Sequence, residues 1–174
     1  ERLAEASGDI DELVAIKSKD LSSSYRYLGI AEILAKAGRA DEALEWAERG
    51  LTAFADRPHN DLRDFLVAIY LKRGRKDEAL QLTWVQFEER PGLETFKKLN
   101  AVSGKLGVWP AQRERALARL AETTAREAVA TSRWKPKPSL PNHSRRVAIA
   151  LWEEDCDAAW TAAHQGVCDR NLLI

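Results

Sequence analysis

Apolar residues recur along much of the chain at intervals of three and four. Tyr27, Ile30, Ala31 and Leu34 form one such stripe, and Leu62, Phe65, Leu66, Ile69 and Tyr70 form another. That spacing puts each set along one face of a helix. A glycine follows each stripe, Gly38 in the first case and Gly74 in the second, where a helix can end with its backbone turned left-handed. The acidic pairs Asp41-Glu42 and Asp77-Glu78 come next. They suit the first turn of a new helix, whose N-terminal end carries partial positive charge. Ala43, Leu44, Ala47 and Leu51 then resume the apolar stripe, as do Ala79, Leu80, Trp84 and Phe87. The pattern predicts helix, tight turn, helix, twice over, with Ala43 and Ala79 small where the paired helices approach.

The two segments are copies of one unit. Residues 38–44 read Gly-Arg-Ala-Asp-Glu-Ala-Leu and residues 74–80 read Gly-Arg-Lys-Asp-Glu-Ala-Leu, six of seven positions identical at an offset of 36. A lone hairpin cannot bury its stripe, but stacked neighbours can. A weaker third unit follows Pro91-Gly92: Leu93, Phe96, Leu99 and Leu106, a stop at Gly107, then Pro110 in the first turn of a helix through Ala116, Leu117 and Leu120 to about Val129. Upstream, Gly8 with Asp11, Glu12, Leu13 and Ile16 reads as the second helix of an earlier hairpin. Downstream, residues 144–153 and 156–167 form another pair, with Ala158-Ala159-Trp160 in place of Glu-Ala-Leu. Pro136, Pro138 and Pro141 break the segment from Ser132 to Arg146, which is read as an extended linker. The expected architecture is all-α, a right-handed α-solenoid of about four degenerate hairpins. Its expected parts are a stack over residues 1–131, a basic linker over 132–146 and a truncated hairpin over 147–174 that packs on or continues the stack.

The spacing resembles the tetratricopeptide repeat. On that pattern Tyr27 takes the first aromatic position, Gly38 the turn glycine and Ala43 the close-packing alanine. In the second unit these are Arg63, Gly74 and Ala79, with Pro91 at the closing proline; Arg63 and Ala55 depart from the pattern. A more specific resemblance covers most of the chain. It is carried by Asp20-Leu21-Ser22-Ser23 to Tyr27-Leu28, Gly38-Arg39-Ala40-Asp41-Glu42-Ala43-Leu44 to Glu48-Arg49-Gly50-Leu51, Trp84 to Leu93-Glu94-Thr95, and Leu151-Trp152-Glu153 to Ala158-Ala159-Trp160. These stretches resemble the C-terminal helical region of bacterial SWIM zinc-finger proteins. In that family the zinc module lies upstream and uses Cys-x-Cys with Cys-x-His, a pattern absent from this chain. The resemblance therefore implies a helical region of a larger protein, with no zinc ligand and no defined activity carried over.

Composition narrows the partners. Lys plus Arg and Asp plus Glu number 27 each, so no bulk field draws the chain to nucleic acid or anionic lipid. Two cysteines, Cys156 and Cys168, are too few for a disulfide framework, and a reducing cytoplasmic compartment is expected. The longest strictly apolar run, Val147 to Trp152, is far short of a membrane span. The chain contains no methionine, and Asn171-Leu172-Leu173-Ile174 reads like a helix cut off midway, so a fragment of a longer protein is expected.

Four constellations bear on function. In tetratricopeptide stacks the first helix of each hairpin lines the concave face. On that register Lys36, Lys72 and Lys105 fall at one position in three successive units, with Tyr25, Glu32, Asp61, Asp64 and Lys97 nearby. Such a column suits peptide carboxylates or an acidic helix; equally, a lysine in the last turn of a helix complements its dipole. In the linker, Arg133, Lys135, Lys137, Arg145 and Arg146 stand with no acid among them and Trp134 between. They could hold phosphates and stack a base, or form a solvated, self-repelling connection. Cys156, His164, Cys168 and His143 lack the closely paired ligands of a structural zinc site, and read better as packing residues. No nucleophile elbow, phosphate loop or metalloprotease helix is present, and Ser103-Gly104-Lys105 lacks the strand a phosphate loop requires. The expectation is a non-catalytic protein- or peptide-binding scaffold without cofactor or metal, with nucleic-acid contact through the linker as the alternative. The tryptophans read mostly as core or inter-repeat packing, with any exposed pair a candidate partner site.

Overall fold

The structure, a computed structural model, describes residues 9–56, 59–132 and 140–172. Its α-helices, in chain order, are α1 (Ile10–Lys17), α2 (Ser24–Lys36), α3 (Ala40–Ala53), α4 (Asn60–Lys72), α5 (Lys76–Glu89), α6 (Leu93–Lys105), α7 (Trp109–Ser132), α8 (Ser144–Trp152) and α9 (Cys156–His164), followed by a 3-10 turn at Arg170–Leu172. Among the described residues the fold is all-α, built of helical hairpins. Among the described residues no helix is long and apolar enough to cross a membrane.

Contacts gather into two compact units, Glu1–Leu82 and Thr83–Ile174. In the first, α1 packs on α2, α2 and α3 form a hairpin, and α4 lies against both. The core here joins Ile30 and Leu34 of α2 to Ala43 of α3, with Ile10, Val14, Leu21, Trp46 and Phe65 around them. Full burial of a side chain such as Leu34 contributes about 1.5–3 kcal/mol. In the second unit α6 pairs with α7, α8 pairs with α9, and α8 touches both α6 and α7. Its terminal hairpin closes over Val147, Ala150, Ala159 and Ala162, with Ala163, Cys168 and Leu172 packed against them.

The turns within hairpins share one construction. Gly38, Gly74 and Gly107 have φ of 80°, 74° and 72°. The amide after each glycine donates to a carbonyl five residues back: Arg39 to Leu34 (2.9 Å), Arg75 to Tyr70 (2.9 Å) and Val108 to Ser103 (3.0 Å). The bonds satisfy carbonyls that the helix end would leave unpaired. The fourth turn repeats this geometry without glycine. Asp155 donates to Ala150 (2.9 Å), and Glu154 takes the left-handed position at φ 61°. Counting from these turns makes Ala43, Ala79 and Ala159 equivalent, and all three are buried.

The first hairpin is tight at Gly50 as well. A Cβ on Gly50 would stand 2.5 Å from Cβ of Tyr27, so this crossing requires glycine.

Two expectations change at the C-terminal end. Helix α8 begins at Ser144, so the linker ends before Arg145 and Arg146. Asn142 Oδ1 accepts from the Ser144 amide (2.9 Å) and hydroxyl (2.6 Å), fixing the start there. Helix α9 stops at His164 rather than 167. Val167 instead donates to the Pro141 carbonyl (3.0 Å) and accepts from the His143 amide (2.8 Å). Arg170–Leu172 is a 3-10 turn, and Leu173 and Ile174 of the stretch read as a helix cut off midway lie outside the described residues.

Candidate functional site

The register of the three lysines is kept by the backbone. Lys36, Lys72 and Lys105 are each the last residue of a helix of 13 residues, and each stands two positions before a left-handed glycine. All three side chains are exposed. None makes an ion pair or hydrogen bond with another described residue. Lys36 and Lys72 end neighbouring helices of the first unit; Lys105 belongs to the second unit.

The arginines at the same turns behave differently. Arg39 grips Glu42 through two bonds of 2.6 Å and also pairs with Asp11 of α1. Arg73 meets Asp41 at 2.7 Å. Arg75 bonds Glu78 at 2.9 Å and Glu48 at 2.7 Å, and Glu48 also accepts from the Tyr70 hydroxyl at 2.9 Å. Forked guanidinium bonds are the stronger, more directional kind. Burial first, and the bond to Glu48 second, push the Tyr70 phenol up to about 12. Arginines thus tie successive helices together while the lysines beside them face solvent.

The remaining groove residues divide by position. Tyr25 is 60% exposed, and its ring meets His59 edge-on at 5.7 Å. Ser24 Oγ accepts from the His59 amide at 2.9 Å, which ties the N-terminal ends of α2 and α4 together. Asp61 lies on that end too, its carboxylate 3.3 Å from His59 Nδ1. A shallow depression of about 290 Å³ opens beside Tyr25, lined by Ile16, Lys17, Asp20, Arg26 and Gly29 as well. Glu32 is exposed and Asp64 half-buried. The first unit therefore carries Tyr25, Glu32, Lys36, Asp61, Asp64 and Lys72 on two adjacent helices, with the aromatic and an acid at one end and the lysines at the other. Lys97 is in the second unit and is engaged by Glu94 at 3.3 Å.

The basic segment holds together less well as a site. Arg133, Trp134, Lys135 and Lys137 lie outside the described residues. Arg145 bonds Glu127 at 3.0 Å, and Arg146 donates to Gln165 at 3.3 Å. Both are therefore attached to the fold rather than to a linker. Cys156 is exposed and Cys168 half-buried, both as free thiols. Among the described residues no group of three or more His, Cys, Asp or Glu is placed to hold a metal ion.

Sequence reasoning missed the acidic partners of the turn arginines and the left-handed Glu154. It read the tryptophans mostly as core or inter-repeat packing, with any exposed pair a candidate partner site. Trp84 is buried, but Trp152 is 39% and Trp160 68% exposed. Counting five residues back from Ala159 would have found Glu154. No local signal could have found pairs such as Arg39 with Asp11, 28 residues apart.

No curated protein matches the chain. Among solved structures, MamA MSR-1 C2 superposes with a TM-score of 0.43 at 17% identity, over 93% of this chain and 86% of that one. That likeness is too loose to carry an argument. Residues 1–99 match a family model described as a family of unknown function, and the chain belongs to that family, DUF6880.

Proposed function

We propose that the chain is a non-catalytic protein-interaction module that takes an acidic peptide segment across the first-helix face of α2 and α4. One observation carries this reading: Lys36 and Lys72 end adjacent helices, exposed and unpaired among the described residues, while the arginines of the same turns are bound to carboxylates. Charges already committed within a fold have little left for a partner, whereas free surface cations steer and orient one. Tyr25 stands at one end of the face and the lysines at the other, so a segment with its carboxylates toward the lysines and an apolar side chain toward Tyr25 fits one direction better than the other. Retention in a larger cytoplasmic protein of the SWIM zinc-finger kind, with this module holding a partner near the zinc module, is part of the same proposal. It rests on the sequence resemblance and the free thiols.

The test is affinity capture with the chain and with its Lys36→Glu, Lys72→Glu double variant. Loss of capture by the double variant, with helical circular dichroism unchanged, is the expected result. Capture that survives the double change sinks the proposal.

A further inference from the structure

We propose that residues 165–172 form a strap that acid releases from the terminal hairpin, with the His143 side chain as the trigger. The strap leaves the end of α9 and runs back to the start of α8. There Val167 is held on both sides. It donates to the Pro141 carbonyl at 3.0 Å and accepts from the His143 amide at 2.8 Å. Two residues on, the Asp169 amide donates to Ser144 Oγ at 2.9 Å. Cys168 and Leu172 then pack on Val147, Ala150, Ala159 and Ala162. The strap therefore covers part of the apolar seam between α8 and α9.

The His143 ring is fitted into this junction. A Cβ on Gly166 would stand 2.7 Å from its Cδ2 and 3.2 Å from its Nε2, and would strike the Pro141 carbonyl oxygen as well. The backbone of the strap thus lies directly on the imidazole. Nδ1 is buried and has no hydrogen-bond partner among the described residues. The neutral ring tolerates this, because its single proton can sit on Nε2 and leave Nδ1 as a bare lone pair. The imidazolium carries a proton on both nitrogens. It would bury a charged donor without an acceptor, a costlier defect than an unused lone pair.

Two further features oppose the charge. His143 is the N-cap of α8, the end of a helix where a cation is disfavoured. Arg146 adds a like charge, and burial first, with this arginine second, holds the His143 pKa below its usual 6.5. The other charged groups of the surrounding elements are engaged elsewhere or face water. Arg145 is bound to Glu127 of α7, His164 of α9 is stacked on Trp160, and Asp169 and Arg170 of the strap are exposed. No carboxylate among them accepts from Nδ1. The cation is accommodated by turning the ring toward water, and Gly166, which lies against it, must move too. The strap is closed above pH 6.5 and opens as the solution becomes more acidic.

The Cys168 thiol packed beneath the strap reports on it, with the exposed Cys156 as a reference in the same molecule. The 174-residue chain is labelled with a pyridyl disulfide, and peptide mass spectrometry gives the labelling rate of Cys168 relative to Cys156. Between about pH 7.5 and about pH 5 this ratio should rise about fivefold or more. His143→Gln should hold the ratio low at both pH values, since its amide takes up no proton. Gly166→Ala should hold it high at both, by forcing the strap away. Arg146→Ala should move the rise to higher pH, and it decides the matter where His143→Gln does not fold. Circular dichroism at each pH distinguishes opening of the strap from loss of the helices. A wild-type ratio that stays flat, a rise that appears only with loss of the helices, or a rise that survives His143→Gln unchanged overturns the proposal.

Discussion

Helices α3 and α9 follow turns of one construction and present the same three positions to their outer side, Asp41, Leu44 and Glu48 on the first and Asp157, Trp160 and His164 on the second, yet the first is covered and the second is open. On α3 the central residue is Leu44, buried between two carboxylates that the next hairpin's arginines neutralise. On α9 it is Trp160, exposed between an aspartate and a histidine. The repeat fixes where a face points, while the identity of a few residues on it decides what the face will accept. The same division runs through the turns, where arginines hold helices together and lysines one or three residues away remain available.

The sharpest way to break the comparison is to put one charge in both places. Leu44→Asp should lose about 3 kcal/mol or more, from lost burial and an uncompensated charge. Trp160→Asp should stay within about 0.5 kcal/mol, as an exposed change does. Urea denaturation at low protein concentration measures both, and equal losses would mean that the two faces do not differ as described. Next comes the crossing beneath the covered face. Gly50→Ala forces a methyl against Tyr27 and should cost about 1–3 kcal/mol, read from the same denaturation curves.

The turns allow a reciprocal exchange. Glu154→Gly should stabilise by about 1 kcal/mol, and Gly38→Glu should destabilise by a similar amount, because a side chain at positive φ is disfavoured. Paired thermal melts that fail to move in opposite directions would show that the two turns are not equivalent. The smallest effects near neutral pH are the titrations. In the first unit the Tyr70 phenol is raised from its usual 10.0 to about 12. Its contribution is complete below pH 10 and lost as pH rises through 12, and Tyr70→Phe should remove that alkaline loss. In the second unit burial, and then the nearby Arg146, hold His143 below its usual 6.5. Its contribution is present above pH 6.5 and declines as the solution becomes more acidic, and His143→Gln should flatten the decline. Melting curves across pH distinguish the two.

The hairpins were legible because they rest on local facts: three-four periodicity, chirality at Gly38, Gly74 and Gly107, and acids in first turns. The lysine register was legible for the same reason, since one residue at the end of each first helix repeats with the unit. Glu154, a non-glycine residue at positive φ, leaves no mark in composition, and only its place five residues before Ala159 points to it. The first helix of the last pair was legible from residue 144 onward, and what the sequence left out is its cap, which comes from Asn142 and not from a periodic residue. The exposure of Trp160 was hidden for a deeper reason. Spacing tells which side of a helix a residue is on, but only the neighbouring elements tell whether that side is covered.

Tyr27 and Gly50 fit one another so closely that neither can be considered alone. At the offset of 36 the second hairpin has Arg63 and Gln86 in their places, both buried. A chimaera that carried α4 in place of α2 would bring an arginine to a site shaped for a phenol ring beside a bare backbone. The interchangeable unit of this chain is therefore the whole hairpin, and lengthening or shortening the array by recombination should succeed only when the two helices travel together.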